Sequence, residues 1–258
     1  MNSMVIKIGG SFAENDGLVS KLGTELREFP NWSKDPVLLV HGGGSMISEM
    51  EDRWGYEPTF VNGLRETTAE IMPLVDMALA GAVNKRLVRL LRREGLDAWG
   101  LSGVDGGLIL AKSAGGGGSR TGRVASLDTR PLRMLWENGY LPVLAPTASD
   151  AEGRGLNVNA DEVALAFALD SEAQNLVFIS DIPGILLDNK LIRRLDPLVA
   201  EKKIADGEIW GGMIPKVRSA IDALKGGVGV VFIGDYLRYG DLKKILIRQK
   251  GTAIGGEK

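Results

Sequence analysis

Two lysines stand where an anion could be handled. Lys7 lies inside the apolar run Met4–Ile8, two residues before Gly9-Gly10, and Lys216 follows the glycine turn Gly211-Gly212. The flanks of Lys7, Val5-Ile6 and Ile8, mark a strand buried on both faces. A lysine near the carboxyl end of such a strand points at a ligand crevice rather than at bulk solvent. A further turn, Gly42-Gly43-Gly44, closes the apolar run Pro36–Val40. Residues without a Cβ let phosphate or carboxylate approach the backbone, and a helix start just beyond adds N–H donors and partial positive charge. Neither turn has the spacing of the dinucleotide-binding or P-loop fingerprints. The run Asn157-Val158-Asn159-Ala160-Asp161 precedes an apolar helical segment, so it reads both as an N-cap and as a set of site side chains. Arg65, in Asn62-Gly63-Leu64-Arg65-Glu66-Thr67, is of the type that grips a carboxylate in two parallel bonds, and also of the type that decorates a surface. His41 is the only histidine. No nucleophile elbow or metal-binding histidine pair accompanies it, so it reads as a structural residue shaping the turn.

The elements that must position these residues alternate strand and helix. Strands are predicted at Met4–Ile8, 36–40, 98–101, 108–111, 140–145, 176–180 and 228–233, the last clear one. Helices are predicted at 18–29, from about Ser45, over 69–94 as one long segment ended by Gly95, and at 131–138, 159–169 and 217–224. Gly115–Gly118 reads as a flexible hairpin tip. This alternation predicts a mostly parallel sheet with helices on both faces, and in such sheets ligands sit beyond the carboxyl ends of the strands. The glycine clusters fall at those ends.

Composition narrows the class. The chain has 258 residues, 44% hydrophobic and 25% charged, with a formal net charge of -2. That suffices for a sizeable core and argues against a nucleic-acid partner, which calls for a basic face. With no cysteine, disulfides and thiolate metal sites are excluded. No apolar stretch is long enough for a membrane span and no signal-type segment opens the chain, so a cytoplasmic protein is expected.

Taken in order, the motifs resemble the acetylglutamate kinase branch of the amino acid kinase family. They are VIKIGGS at Val5–Ser11, LLVHGGG at Leu38–Gly44, NGLRETT at Asn62–Thr68 and NKRL at Asn84–Leu87. GYLPVLAP at Gly139–Pro146, NVNADEVA at Asn157–Ala164, SDIPGIL at Ser180–Leu186 and GGMIPKV at Gly211–Val217 complete the series. The resemblance implies an open αβα sandwich with a central, mostly parallel sheet of about eight strands, formed as a single domain. Residues 1–170 would be the lobe for acyl-amino acid binding and dimerisation, and 171–258 the nucleotide lobe. It implies Lys7 and Lys216 as the lysines that stabilise the transition state, with Asp161 holding both. Gly43 and Gly44 would donate from the backbone, Arg65 would clamp the substrate α-carboxylate, and Asn157 would meet the acetamido end. Gly9, Gly10, Asp181, Ile182, Pro183, Gly184, Ile185, Leu186, Gly211 and Gly212 would line the ATP site. Mg²⁺ would be carried mainly by the ATP phosphates, with no protein metal site.

The reaction so implied is phosphorylation of the γ-carboxylate of N-acetyl-L-glutamate by ATP, in arginine biosynthesis. That carboxylate is ionised at neutral pH, with an ordinary pKa of about 4.3, so no general base is required. In-line positioning and neutralisation of the transferring oxygens are what remain to be supplied. The segment 115–124 departs from the family pattern. The stretch VNKRLVRLLRREGLDAWGLSG at 83–103 also resembles kinases acting on aminoadipate or glutamate linked to an acidic carrier protein, with Arg86, Arg89, Arg92 and Arg93 then facing the carrier. A nicotinamide-dependent dehydrogenase is disfavoured by the missing fingerprint. A non-catalytic sensor is disfavoured by the joint presence of Lys7, Asp161 and Lys216. Relatives inhibited by arginine carry an additional N-terminal helix that builds hexamers. Here the first strand begins at about Met4, so a homodimer without arginine feedback is expected, with the 69–94 helix as a candidate dimer element.

Overall fold

The computed structural model describes residues 3–28, 34–61, 63–116, 118–187, 190–209 and 213–256. Its centre is an eight-stranded sheet. In chain order the strands are β1 (Met4–Ile8), β2 (Val37–His41), β3 (Ala98–Ser102), β4 (Leu141–Ala145), β5 (Asn175–Ser180), β6 (Arg194–Leu195), β7 (Val230–Asp235) and β8 (Thr252–Gly255). The spatial order is β6-β8-β7-β5-β1-β2-β4-β3. Neighbours are parallel throughout, except that β8 runs antiparallel to β7. Strands from before residue 170 form one half of this sheet and strands from after it form the other.

The central strands are apolar without a break because both of their faces are covered. Every residue of β2 and β4 is buried. On one face Val5, Leu38 and Val40 pack with residues of the helices Arg130–Glu137, Ala160–Asp170 and Met213–Lys225. On the other, Ile6, Ile8 and Leu39 pack with the helices Asp16–Arg27, Asn84–Arg93 and Asp241–Leu246. Strand side chains alternate, so Lys7 shares the face of Val5. It therefore points toward the Ala160–Asp170 helix.

The single helix expected over 69–94 begins at Met72 and is not uniform. An α-helical turn at Met72–Asp76, with Pro73 near its start, runs into a π-helical segment, Met77–Val83, and then into the α-helix Asn84–Arg93. Wide turns of this kind recur at functional sites. Leu79 and Val83 on this segment are the neighbours that a Cβ at Gly43 would strike, at 2.8 and 3.1 Å.

From segments on either side of β4 the chain builds a small closed sheet, Gly155–Val158, Thr121–Leu127, Ile109–Ser113 and Thr147–Ser149. Only the Ile109 strand was foreseen. The Thr121 strand (TGRVASL) carries few apolar residues and exposes much of its length, so hydrophobic alternation gives no sign of it. Strand β8, after the last one expected, and the helices Pro197–Ala205 and Asp241–Leu246 were likewise not anticipated.

Candidate active site

The two glycine turns end β1 and β2 and touch each other. The Gly9 N–H donates to the Ile179 carbonyl at 3.2 Å, and the Gly42 N–H to the Ile8 carbonyl at 2.9 Å. A Cβ at Gly10 would lie 3.3 Å from the Gly44 nitrogen, and one at Gly42 would lie 3.3 Å from the Gly10 nitrogen. Side chains at these positions would force the turns apart. Gly43 precedes the helix Gly44–Arg53 with no side-chain cap, and the first N–H groups of a helix have no partner within it. A cleft of about 470 Å³ opens here, lined among others by Lys7, Gly43, Gly44, Arg65, Thr121 and Asn157.

Lys7 is only 14% exposed at its side chain, and its ammonium lies 2.7 Å from Asp161 Oδ1. The other oxygen, Oδ2, lies 3.8 Å from the Lys216 ammonium. Asn159 makes this geometry possible: its side chain accepts the Asp161 N–H at 2.7 Å as N-cap, so Asp161 is fixed in the first helical turn. An anionic side chain is also favoured at a helix start. A second cleft of about 460 Å³, lined by Asp161, Lys216, Arg123, Glu162 and Phe178, meets the first at Asn159 and at Gly63–Leu64. Asp161 therefore stands between two clefts with one lysine on either side.

Arg65 is 9% exposed and reaches into the first cleft. Its guanidinium donates to the Gly44 carbonyl and to Ser48 Oγ, both at 2.8 Å, and pairs with the buried Glu51. The Phe60 ring covers it, 4.8 Å from the ring centre to the guanidinium carbon. The Asn157 amide donates to Thr67 Oγ1 at 3.0 Å. Thr121 Oγ1 accepts the Thr67 N–H at 3.0 Å and donates to the Arg65 carbonyl at 2.8 Å. Thr121, at the start of its strand, thus helps fix Arg65 and Asn157 against one another through Thr67. Farther along the strand, Glu162 accepts the Val124 N–H at 2.8 Å and pairs with Arg123 at 3.4 Å, which ties this strand to the Asp161 helix.

The remaining expected residues follow β5. Asp181 accepts from Ser180 Oγ at 3.0 Å. A Cβ at Gly184, where φ is +139°, would come within 2.7 Å of Leu191 and Thr252 atoms, so the turn needs glycine. Ile182 is half-buried and packs at the edge of the core. Pro183 leads into that glycine, and Ile185 is buried with its N–H bonded to Thr252 Oγ1 at 2.8 Å. Leu186 pairs with Leu191 in a short hairpin. Gly211 and Gly212 lie outside the described residues, as does Asn62.

His41 is fully buried. Its Nδ1–H donates to the Gly42 carbonyl at 2.9 Å, and Nε2 accepts from the Asn84 amide at 3.1 Å. Burial pushes its pKa down from 6.5 to about 4, against the Gly42 bond and with help from the nearby Lys85 charge. Three of the four arginines weighed as a carrier surface are paired within the chain: Arg86 with Asp16 at 2.7 Å, Arg92 with Asp97 at 3.6 Å and Arg93 with Glu94 at 3.3 Å. Glu51, Ser48, Thr67, Thr121 and Glu162 escaped sequence reasoning. For Ser48 and Glu51 a signal existed, since residues 44, 48 and 51 share one helix stripe.

Fold and cleft together define an α/β enzyme that receives anionic ligands at the carboxyl ends of a parallel sheet. The model of the amino acid kinase family matches residues 2–235. Acetylglutamate kinase of Geobacillus kaustophilus is 42% identical over 232 residues, covering 90% of this chain and 89% of that one. Acetylglutamate kinase of Chlorobaculum tepidum is 38% identical over 245 residues, covering 90% and 82%. The solved structure of smu.665 from Streptococcus mutans superposes with a TM-score of 0.82 at 29% identity, covering 99% of each chain. The chain belongs to the amino acid kinase family, and it is a phosphotransferase with a carboxyl group as acceptor.

Proposed function

We propose that the protein transfers the γ-phosphoryl group of ATP to the γ-carboxylate of N-acetyl-L-glutamate, giving the acyl phosphate, as a step of arginine biosynthesis. The observation that carries this reading is Asp161 lying between Lys7 and Lys216, where the two clefts meet. Phosphoryl transfer asks the protein for alignment and for charge opposite the transferring oxygens. Lys7 brings an ammonium from the side of the glycine turns and Lys216 brings one from the opposite side. The Asp161 carboxylate offsets their mutual repulsion and fixes both. The Gly43 and Gly44 N–H groups face the anion at the helix start. Arg65 takes the α-carboxylate and Asn157 the acetamido group. The attacking carboxylate is already ionised, which is why the only histidine is free to serve as a buried, neutral support for the turn.

The first half of the sheet, to residue 170, would take the acyl-amino acid. Residues 171–258 would take the nucleotide through 181–186 and 211–212, with Gly9 and Gly10 reaching it from the first half. No cluster of three or more His, Cys, Asp or Glu side chains occurs among the described residues, and Asp161 is engaged by two lysines. The donor set therefore suits Mg²⁺ carried by the nucleotide phosphates. Bound there, the ion would supply charge neutralisation between the phosphoryl groups. Among the described residues no helix is long and apolar enough to cross a membrane; the cytoplasmic location belongs to the proposed role in amino-acid biosynthesis. The expected assembly is a homodimer, and light scattering that gives a monomer mass would contradict it.

The test is ATP-dependent hydroxamate formation with N-acetyl-L-glutamate, L-glutamate and N-acetyl-L-aminoadipate as acceptors. The reading predicts the highest kcat/KM for N-acetyl-L-glutamate. Turnover of either other acceptor at equal or greater efficiency would overturn the substrate assignment.

A further inference from the structure

The helix Gly44–Arg53 turns one stripe toward Arg65. Positions 44, 48 and 51 fall at i, i+4 and i+7, and each presents an acceptor to the guanidinium. Nη2 donates to both the Gly44 carbonyl and Ser48 Oγ, and Nη1 pairs with Glu51 Oε2. This ion pair is buried, with side-chain exposures of 7% for Arg65 and 0% for Glu51. The second carboxylate oxygen, Glu51 Oε1, is buried without a hydrogen-bond partner among the described residues. As a stabilising device that is a poor choice, because a buried charge with an unsatisfied oxygen costs more than an apolar side chain of similar volume. Its effect falls instead on Arg65, the guanidinium that lines the cleft.

With both Nη2 hydrogens engaged and Nη1 held by Glu51, no adjacent pair of N–H groups is left for a bidentate grip on an incoming carboxylate. The Glu51 charge also offsets that of Arg65 at this end of the cleft. We infer that Glu51 is an internal carboxylate competing with the α-carboxylate of the acyl-amino acid for Arg65, so that it weakens and orients this contact. The inference rests on the reading of Arg65 as the α-carboxylate contact. Glu51 is then a positioning residue acting through Arg65. Substrate and product share the α-carboxylate, so tighter binding there would hold both alike. It would slow product release without lowering the barrier to transfer.

Glu51→Gln tests this, because it preserves shape and an acceptor for Nη1 while removing the charge. Titration calorimetry compares wild type and variant with N-acetyl-L-glutamate and with 4-acetamidobutyrate. The latter keeps the acetamido group and the γ-carboxylate but lacks the α-carboxylate. Carboxylates flanking one guanidinium lie on the order of 6 Å apart, where repulsion is worth roughly a hundredfold in Kd at an effective dielectric of about 20 and about tenfold at about 40, the value suited to an open, hydrated cleft. The expected result is an N-acetyl-L-glutamate Kd about tenfold lower in Glu51→Gln, with the 4-acetamidobutyrate Kd changed by less than about twofold. The unliganded variant should melt lower than wild type and gain more from N-acetyl-L-glutamate. If wild type prefers N-acetyl-L-glutamate but the variant does not bind it more tightly, the inference falls and the Arg65 reading stands. Equal tightening of both ligands would be a general field effect and would also overturn it. If wild type binds both ligands equally, the Arg65 reading itself fails and the inference goes with it. Should Glu51→Gln not fold, Ser48→Ala reads the same competition by releasing one Nη2 hydrogen. N-acetyl-L-glutamate should then tighten about two- to threefold, and an unchanged Kd would overturn the inference.

Discussion

Replacing His41 by Asn should remove a pH dependence of stability that the fold creates. The imidazole is fully buried between the Gly42 carbonyl and the Asn84 amide, and both of its nitrogens are matched only when it is neutral with the proton on Nδ1. Protonation would turn Nε2 into a donor facing the Asn84 NH₂ group. The folded-state pKa is accordingly lowered from 6.5 to about 4. Between those two values the unfolded chain holds a proton that the folded chain does not. Folding stability is therefore fully present above 6.5 and falls as pH is lowered toward 4. A gap of that width corresponds to about 3 kcal/mol. Urea unfolding of wild type and His41→Asn in steps from neutral pH to about pH 4.5 measures it, because the carboxylate contributions common to both proteins cancel in the difference. The stability advantage of wild type should shrink by about 2 to 3 kcal/mol over that range. A difference that stays flat would refute the reasoning. So would an imidazole NMR resonance that titrates near 6.5, easily recognised because the chain has one histidine.

Gly43→Ala places a Cβ 2.8 Å from Leu79 Cδ2 and 3.1 Å from Val83 Cγ2, both buried. It should lose about 1 to 3 kcal/mol in urea unfolding and lower kcat by displacing the turn. Glu25→Gln should cost about 1 to 3 kcal/mol by the same measurement. The Glu25 carboxylate accepts the Tyr236 hydroxyl at 2.9 Å and the Gly240 and Lys243 N–H groups at 3.0 and 2.6 Å, and a Gln amide turns a donor toward part of that set. Asp161→Asn should reduce kcat about 10²- to 10³-fold while the fold persists, and steady-state kinetics with circular dichroism checks both.

Much of the fold was legible because its central strands are short apolar runs closed by glycine, a pattern that buried parallel strands impose. Lys7 announced itself by breaking such a run, and Asp161 by standing two residues beyond a good N-cap. The closed sheet at 109–158 was largely hidden. Its strands are short and carry Gly, Arg, Ser and Asn between the few apolar residues they bury, Ile109, Ala111, Ala148, Leu156 and Val158, so the alternation is too brief to register. Asn157, expected in a turn, lies at the end of one of these strands. The π-helical segment was hidden for a different reason: MALAGAV is a good helical sequence, and its wider turns depend on tertiary packing. Glu51 was legible only as a member of the 44, 48 and 51 helix stripe, because a glutamate on an amphipathic helix normally faces water. Only the fold shows that it faces Arg65.

The most direct test of carboxylate phosphorylation follows an oxygen. N-acetyl-L-glutamate labelled with ¹⁸O at both oxygens of the γ-carboxylate is incubated with the enzyme, Mg²⁺, ATP and hydroxylamine, and the released phosphate is analysed by mass spectrometry. Attack of a γ-carboxylate oxygen on the γ-phosphorus of ATP makes that oxygen the bridge of the acyl phosphate. Hydroxylamine then attacks the carbonyl carbon and expels phosphate carrying the bridge. The prediction is one ¹⁸O in each phosphate formed, and none when the label is in the α-carboxylate. Unlabelled phosphate from the γ-labelled substrate, or label arriving from the α-carboxylate, would contradict it.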